Sequence, residues 1–113
     1  MPAYQDYTER ARVSVAYSTG QGFQQDISDY LLEHQEWPVS LTDLGYQEDY
    51  IWNEEYNYGI EIYDNGIIGI DVGIDELGNS EYVVIEPIFE GGTLSWICYG
   101  QDLSAAHLPP ACR

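Results

Sequence analysis

Cys98 and Cys112 are the residues of this chain whose chemistry is easiest to define. A zinc site needs more ligands than two thiolates, and His34 and His107 are not spaced to complete one. The spacing also differs from the Cys-x-x-Cys pattern that is usual for redox pairs. A structural disulfide would close a loop of about 15 residues and stabilise the fold by about 3 kcal/mol through loop-closure entropy. The cysteines therefore favour a structural disulfide and an oxidising compartment such as the periplasm or the cell exterior.

Acidic side chains dominate the charge of the chain. Its 113 residues include 20 Asp and Glu against 3 Arg and no Lys, and the formal net charge is −17. Between Val13 and Cys112 the only groups that can become cationic are the two histidines, so most acids must be solvated or screened by ions. Because phosphate backbones and anionic lipids would be repelled, we expect no direct DNA binding and interpret the charge as a solvated acidic surface.

Some of these acids gather near two turns of a predicted sheet. They are Asp64, Asp71, Asp75, Glu76, Asn79 and Glu81. Calcium takes six to eight oxygen ligands, which turns of this kind can supply. The spacing does not match an EF-hand loop, so a solvated acidic loop is the competing interpretation. Of the two hypotheses, the solvated loop is favoured over a Ca²⁺ site formed by Asp64, Asp71, Asp75 and Asn79. No other cofactor is indicated.

The remaining reactive side chains form no catalytic pattern. His34 falls in the last turn of a predicted helix, where a cationic side chain interacts favourably with the helix dipole. His107 lies between the two cysteines, and neither histidine has a nucleophile placed beside it by the sequence. Pairs of carboxylates are unavoidable among so many acids and do not indicate a glycosidase. We therefore expect that the protein is not an enzyme.

A helical pattern runs from Pro2 to Glu36. Its apolar residues recur at spacings of three, four or near seven. They are Val13, Ala16, Tyr17, Phe23, Ile27, Tyr30 and Leu31. Gly20 and Gly22 interrupt the pattern at a cost of about 1 kcal/mol each relative to Ala, which indicates either a kink or a place where another backbone packs closely. The helix should end at Trp37, because a residue before proline avoids the α region.

The second half of the chain changes to the period of two that is typical of strands. Tyr58–Tyr63 and Ile67–Val72 flank the sequence Asp-Asn-Gly at 64–66, which predicts a hairpin because Asn-Gly tolerates positive φ. Two more strands are predicted at Glu81–Ile88 and Thr93–Tyr99. Pro87 should mark the end of the third strand or an edge position.

The elements together predict one domain over residues 1–113. The segment Ser40–Asn57 is acidic and aromatic without a clear period, and we interpret it as an ordered surface loop that folds back on the helix or the sheet. The predicted fold class is α+β: a long N-terminal helix, a connecting loop, a four-stranded antiparallel meander and a disulfide-closed tail. No apolar run approaches the roughly 20 residues that cross a bilayer, and residues 1–12 do not form a signal peptide.

Both ends of the chain resemble one protein family. Residues 2–13, Pro-Ala-Tyr-Gln-Asp-Tyr-Thr-Glu-Arg-Ala-Arg-Val, resemble the stretch just after the hydrophobic spine of type IV pilins. The segment from Trp96-Ile-Cys98 to the terminal Pro-Pro-Ala-Cys-Arg is similar to the end of the same family, and Glu36-Trp37-Pro38 is similar to its helix exit. Residues 40–90 carry no motif of this family.

The resemblance implies the pilin fold and a route of processing and assembly that composition does not show. A pilin is made with a short leader, cut by a peptidase that also methylates the new N-terminus, and held in the inner membrane on an apolar helix. It is then assembled into a thin, retractable, extracellular filament, or fimbrium. We expect the apolar half of the helix to be missing upstream here, with Met1 as a start residue placed before Pro2.

The resemblance further implies that the protein is a pilus subunit, and three kinds of subunit are considered. The leading hypothesis is the major subunit of a type IV pilus that supports adhesion, twitching motility or uptake. A minor pilin that displays the loop from Cys98 to Cys112 to a receptor is the first alternative, and a type II secretion pseudopilin is the second. Arg10 and Arg12 are candidates for contacts with acids of a neighbouring subunit, and a local pair such as Asp6–Arg10 is the competing interpretation.

Overall fold

The computed structural model describes residues 3–46, 59–74 and 80–113. A single helix, α1 (Ala3–His34), is followed by a 3₁₀ turn at Leu41–Leu44. Four strands come next: β1 (Gly59–Ile62), β2 (Ile68–Ile74), β3 (Ser80–Glu90) and β4 (Thr93–Gln101). Short 3₁₀ turns at Ala105–His107 and Pro110–Cys112 complete the tail. This is the predicted α+β pilin fold.

The strands form one antiparallel meander in the order β1-β2-β3-β4. The β1–β2 hairpin turns through Asn65 and Gly66, which have φ values of 64° and 74°. Those positive values confirm the prediction from the Asn-Gly pair. The ladder between β2 and β3 shifts register between Asp71 and Gly73, and this bulge carries β2 two residues beyond the predicted end at Val72.

One face of the sheet packs on α1, and this contact forms the core. The helix contributes Val13, Ala16, Phe23 and Ile27, all nearly inaccessible to solvent. Their spacing of three and four places them on one stripe of the helix, as predicted. The sheet contributes alternate residues from its strands, in keeping with the period of two. These are Ile60, Ile62, Ile68, Ile70, Val83 and Ile85.

Gly20 lies at the closest approach of α1 to the sheet. A Cβ atom there would collide with Cδ1 of Ile85 and come within 2.8 Å of Cδ1 of Ile70. Gly22, two residues later, is exposed and would have nothing within 4 Å of an added Cβ atom. Of the two alternatives predicted for these glycines, close packing applies to Gly20, which makes room for the sheet. Gly22 has no such role, and α1 continues through both residues.

The segment after α1 folds back on the helix, as far as the structure describes it. The Tyr46 hydroxyl donates to Oδ2 of Asp26 at 2.8 Å, and its ring lies 5.2 Å from the ring of Phe23. Leu41 is buried in the same core. The rest of the predicted loop, with Tyr50, Trp52 and Tyr56, lies outside the described residues.

Pro87 lies inside β3 rather than at its end. The strand continues to Glu90, two residues past the predicted boundary. Pairing with β2 stops at Ile85, whereas pairing with β4 runs on to Glu90. Pro87 is therefore opposite Trp96 on one side and has no partner in β2 on the other, so the missing N–H costs no hydrogen bond to that strand. The edge position was the correct alternative.

Candidate functional site

The disulfide joins the last strand to the tail. Cys98 belongs to β4 and Cys112 to the final 3₁₀ turn, with Cα atoms 4.4 Å apart and a sequence separation of 14. Cys112 is 2% exposed and belongs to the hydrophobic core. The pairing expected from the sequence is confirmed, and it anchors the end of the chain to the sheet.

The loop that the disulfide closes is packed from within. Leu108 is 5% exposed, and its Cδ atoms lie 3.1 and 3.3 Å from where a Cβ atom of Gly100 would be. Arg113 donates from Nε to the Leu108 carbonyl oxygen at 2.9 Å. The Ser104 hydroxyl accepts from the backbone N–H of Ala106 at 3.3 Å. The loop thus has its own hydrogen bonds and a buried anchor, which give it a defined shape.

The outer surface of this loop carries small apolar side chains beside polar ones. Its exposed residues include Ala105, Ala106, Pro110 and Ala111, together with Gln101, Asp102 and Ser104. Asp102 has a φ of 58°, and His107 is half-buried. A surface of this kind can make contacts with another molecule.

Two arginines of α1 are the candidates for contacts between subunits. Arg10 is exposed, whereas Arg12 is half-buried. The guanidinium of Arg12 lies against Gly73, where a Cβ atom would collide with Nη2 and come within 3.1 Å of Cζ. Arg12 therefore contacts β2 of its own chain, and Arg10 is the more accessible of the two. Asp6 lies in α1, but its side chain is outside what the structure describes.

The proposed calcium ligands fall in different places. Asp64 is exposed in the β1–β2 turn, whereas Asp71 lies opposite Gly59 at the other end of that hairpin. Asp71 accepts from the backbone N–H of Gly73 through Oδ1 at 2.9 Å. Asp75 and Asn79 lie outside the described residues, as does Glu76. Within the described residues there is no group of three or more His, Cys, Asp or Glu side chains that could hold a metal ion.

The helix end carries the other histidine. The ring of His34 lies 4.2 Å from the ring of Tyr30, one turn earlier in α1, and the side chain is exposed. The tyrosine hydroxyl has its pKa raised above the usual value by partial burial and by the nearby charges of Asp43 and Glu36. An aromatic pair at the helix end is a packing contact.

Helix α1 is 32 residues long, and one stripe of it is buried against the sheet. No helix among the described residues has the length and apolar character that a membrane span requires. A shallow depression of about 350 Å³ on its surface is lined by Ser14, Val15, Ser18 and Thr19. Thr19 is buried, and its hydroxyl donates to the Val15 carbonyl oxygen at 2.9 Å.

Comparisons with known proteins agree with this architecture. The family model of pilins, described as bacterial filament proteins, matches residues 9–113. A fimbrial protein of Neisseria meningitidis serogroup A is 25% identical over 138 residues, an alignment that covers 100% of this chain and 81% of the relative. A type IV major pilin protein PilE1 of Neisseria gonorrhoeae is 26% identical over 133 residues, covering 100% and 80%.

A second type IV major pilin protein PilE1 of Neisseria gonorrhoeae is 47% identical over 136 residues, covering 100% of this chain and 63% of the relative. Pilins are a family of structural proteins that assemble into filaments outside the cell. The family match spans the helix, the sheet and the disulfide-closed tail described above. This chain therefore belongs to the pilin family and is a type IV pilin, a subunit of an extracellular bacterial filament.

Proposed function

We propose that this chain is the major subunit of its type IV pilus and that the filament serves adhesion, twitching motility or uptake. The observation that carries the proposal is the pilin architecture, with a continuous α1, a four-stranded sheet and a tail closed by Cys98 and Cys112. The relatives whose names contain the words "major pilin" support the same role. The rigid fold suits a subunit that is repeated many times along a fibre.

The proposal includes an assembly route. Subunits wait in the inner membrane on an apolar helix that precedes the segment described here, and the pilus assembly machinery then packs those helices at the centre of the filament. The globular domain of residues 1–113 lies around them.

Contacts between neighbouring globular domains involve Arg10. The side chain is exposed on α1 in a chain of net charge −17, so acids are abundant on any neighbouring copy. Arg12 contributes less, because it is half-buried and therefore less accessible to a neighbouring copy. Charge reversal at Arg10 in the full-length protein should reduce the number and the mechanical stability of filaments. The matched variant Arg12→Glu should reduce them less, and normal piliation in both variants would remove this part of the proposal.

Electron microscopy of a deletion strain tests the main role. Cells that make the full-length protein should carry filaments, the deletion strain should carry none, and complementation should restore them. Filaments that persist in the deletion strain but bind surfaces poorly would instead assign the chain to a minor pilin at the tip. Normal filaments with a defect in protein export would assign it to a secretion pseudopilin.

The minor-pilin alternative has one specific observation in its favour. The loop between Cys98 and Cys112 exposes small apolar side chains on a rigid frame, which suits a contact with a receptor. In that case the variant Ala106→Glu should abolish surface binding and leave the filaments intact. For a major subunit whose loop makes no receptor contact, the same variant should leave surface binding and piliation nearly unchanged, because Ala106 is exposed.

A further inference from the structure

The sheet has a second face, turned away from α1, that no described element covers. One row of this outer face crosses all four strands, because antiparallel partners point their side chains to the same side. The row consists of Glu61, Gly69, Val84 and Tyr99. The next row includes Glu86 and Ile97, which pair with each other in the β3–β4 ladder. We call these residues, together with Tyr63, the outer face.

The outer face exposes large apolar side chains near both edges of the sheet. Tyr63 follows β1 and is 42% exposed, whereas Ile97 and Tyr99 are neighbours on one side of β4 and are 44% and 39% exposed. These are half of the large hydrophobic side chains that are exposed among the described residues, and the others, Leu32, Val39 and Phe89, do not share this face. Exposed apolar side chains gathered on one face indicate an interaction surface, whereas scattered exposure needs no explanation.

Two carboxylates of the outer face are held in place by tyrosines. The Tyr99 hydroxyl donates to Oε1 of Glu86 at 3.2 Å. Tyr63 is hydrogen-bonded through its side chain to Glu61, and its ring lies on Gly69, where a Cβ atom would collide with Cε2. Each carboxylate therefore sits beside an aromatic ring in a restricted position. A cation that approaches can pair with the carboxylate and contact the ring face at once.

The distance between the two carboxylates follows from the register. Glu61 in β1 lies in the same row as Val84 in β3, two strands away. Glu86 is two residues beyond Val84 in β3, so the two carboxylates are separated by two strands across the sheet and by two residues along it. Strand spacing and rise per residue put their Cα atoms about 12 Å apart. In an extended peptide, side chains at positions i and i+4 lie on one side about 13 Å apart, and those at i and i+2 only about 7 Å apart.

The charge of the outer face selects its partner. The sheet contains no Arg or Lys, since none occurs between Val13 and Cys112. The arginines of the chain lie elsewhere, with Arg12 on Gly73 and Arg113 on the Leu108 carbonyl. A second copy of this chain would bring another net charge of −17, so pairing of two outer faces is opposed by repulsion.

We propose that the outer face is a docking surface for a cationic peptide segment in extended conformation. Arg or Lys side chains at i and i+4 of the segment pair with Glu61 and Glu86. An apolar side chain at i+2 lies midway between the two carboxylates, over Gly69 and the ring of Tyr63. Such a segment would belong to a basic protein outside the cell, and its binding does not depend on whether the chain is a major or a minor pilin.

Chemical-shift titration of the isotope-labelled chain tests this with two short probes. The first is acetyl-Arg-Ser-Leu-Ser-Arg-amide, which has the two arginines four positions apart. The second is acetyl-Ser-Arg-Leu-Arg-Ser-amide, which has the same composition and charge but arginines two positions apart. The first probe should bind more tightly by about fivefold, and its shift changes should fall on β1, β3 and β4. Equal affinities, or changes located on α1, would overturn the proposal.

Matched variants distinguish specific binding at the outer face from nonspecific attraction of a cationic probe to an acidic chain. Glu61→Gln with Glu86→Gln should weaken binding of the first probe by about tenfold. Glu33→Gln with Glu36→Gln makes the same charge change on exposed helix-end positions and should weaken it by less than about twofold. Equal weakening would indicate diffuse attraction and reject the site. Sedimentation would show whether the chain self-associates. Self-association that is lost or altered in the variant with Glu61→Gln and Glu86→Gln would reject the peptide and assign the outer face to a second copy of the chain.

Discussion

The indole ring of Trp37 lies against Gly66, where a Cβ atom would come within 2.7 Å of Cε3 of the ring. Trp37 is the third residue after the end of α1, and Gly66 closes the β1–β2 turn. The contact ties the exit of the helix to the tip of the hairpin. Gly66 also has a φ of 74°, so the position excludes a side chain for two independent reasons, backbone conformation and packing.

Substitution of Gly66 by Ala should lower the free energy of unfolding by about 2–3 kcal/mol, because left-handed backbone costs about 1 kcal/mol and the clash with Trp37 adds more. Gly45→Ala is the matched control, since its φ is 91° but nothing lies within 4 Å of the added Cβ atom. The free energy of unfolding of the control should fall only by the cost of the left-handed backbone, about 1 kcal/mol. Urea unfolding curves measure both losses, and equal losses would show that the ring exerts no constraint.

Gly20 and Gly22 provide a second matched pair within one helix. Gly22→Ala should raise the free energy of unfolding by about 0.5–1 kcal/mol, because the site is open and Ala favours the helix. Gly20→Ala gains the same propensity but forces the buried side chains of Ile70 and Ile85 to move, which costs about 1–3 kcal/mol. The first variant should therefore be more stable than the parent protein and the second less stable. Thermal unfolding followed by circular dichroism decides, and stabilisation by both would show that the helix–sheet interface is loose.

The contrast between these glycines belongs to the part of the fold that local sequence patterns predict. The helix, the Asn65-Gly66 turn and the Cys98–Cys112 pairing follow from local rules of period, positive φ and cysteine count. Which glycine faces the sheet also follows from the helical period, since Gly20 continues the stripe of Ala16 and Phe23 at spacings of four and three. Local spacing was therefore sufficient for the helix and its buried face.

Features that depend on register between distant segments were not predictable. The outer face needs the successive pairings from β1 through β4, which bring Glu61 into the same row as Tyr99, a residue far away in the sequence. The contact of Arg12 with Gly73 needs the bulge in β2. A sequence pattern gives the direction of a side chain within its own strand and leaves its neighbours in other strands unspecified.

Loss of the disulfide should cost about 3 kcal/mol, as expected for a loop of this length. The variant with both Cys98 and Cys112 changed to Ala should have its urea midpoint lowered accordingly. Reductant should lower the midpoint of the parent protein to nearly the same value and leave the variant unchanged. Since Arg113 and Leu108 hold the tail by other contacts, the sheet and α1 should still form. A variant as stable as the oxidised parent would show that the tail is held without the bond.

The Tyr63 hydroxyl should titrate far above its usual range. Partial burial, the hydrogen bond with Glu61 and the nearby negative charges raise its pKa from 10.0 to about 12. The folded state therefore keeps a proton that the unfolded state loses near pH 10. The stabilisation from Tyr63 is fully present below pH 10 and is lost as the pH rises towards about 12.

Glu61→Gln should lower the pKa of Tyr63 part of the way towards 10.0, because it removes the charge and leaves the burial of the ring in place. Glu33→Gln, an equal charge change on α1, should leave it unchanged. Nuclear magnetic resonance of tyrosine rings labelled at Cζ follows the titration, and the Tyr63→Phe variant assigns the signal. A Tyr63 pKa near 10.0 in the parent protein would mean that Glu61 is not held against the ring, and the geometry of the outer face would then be wrong.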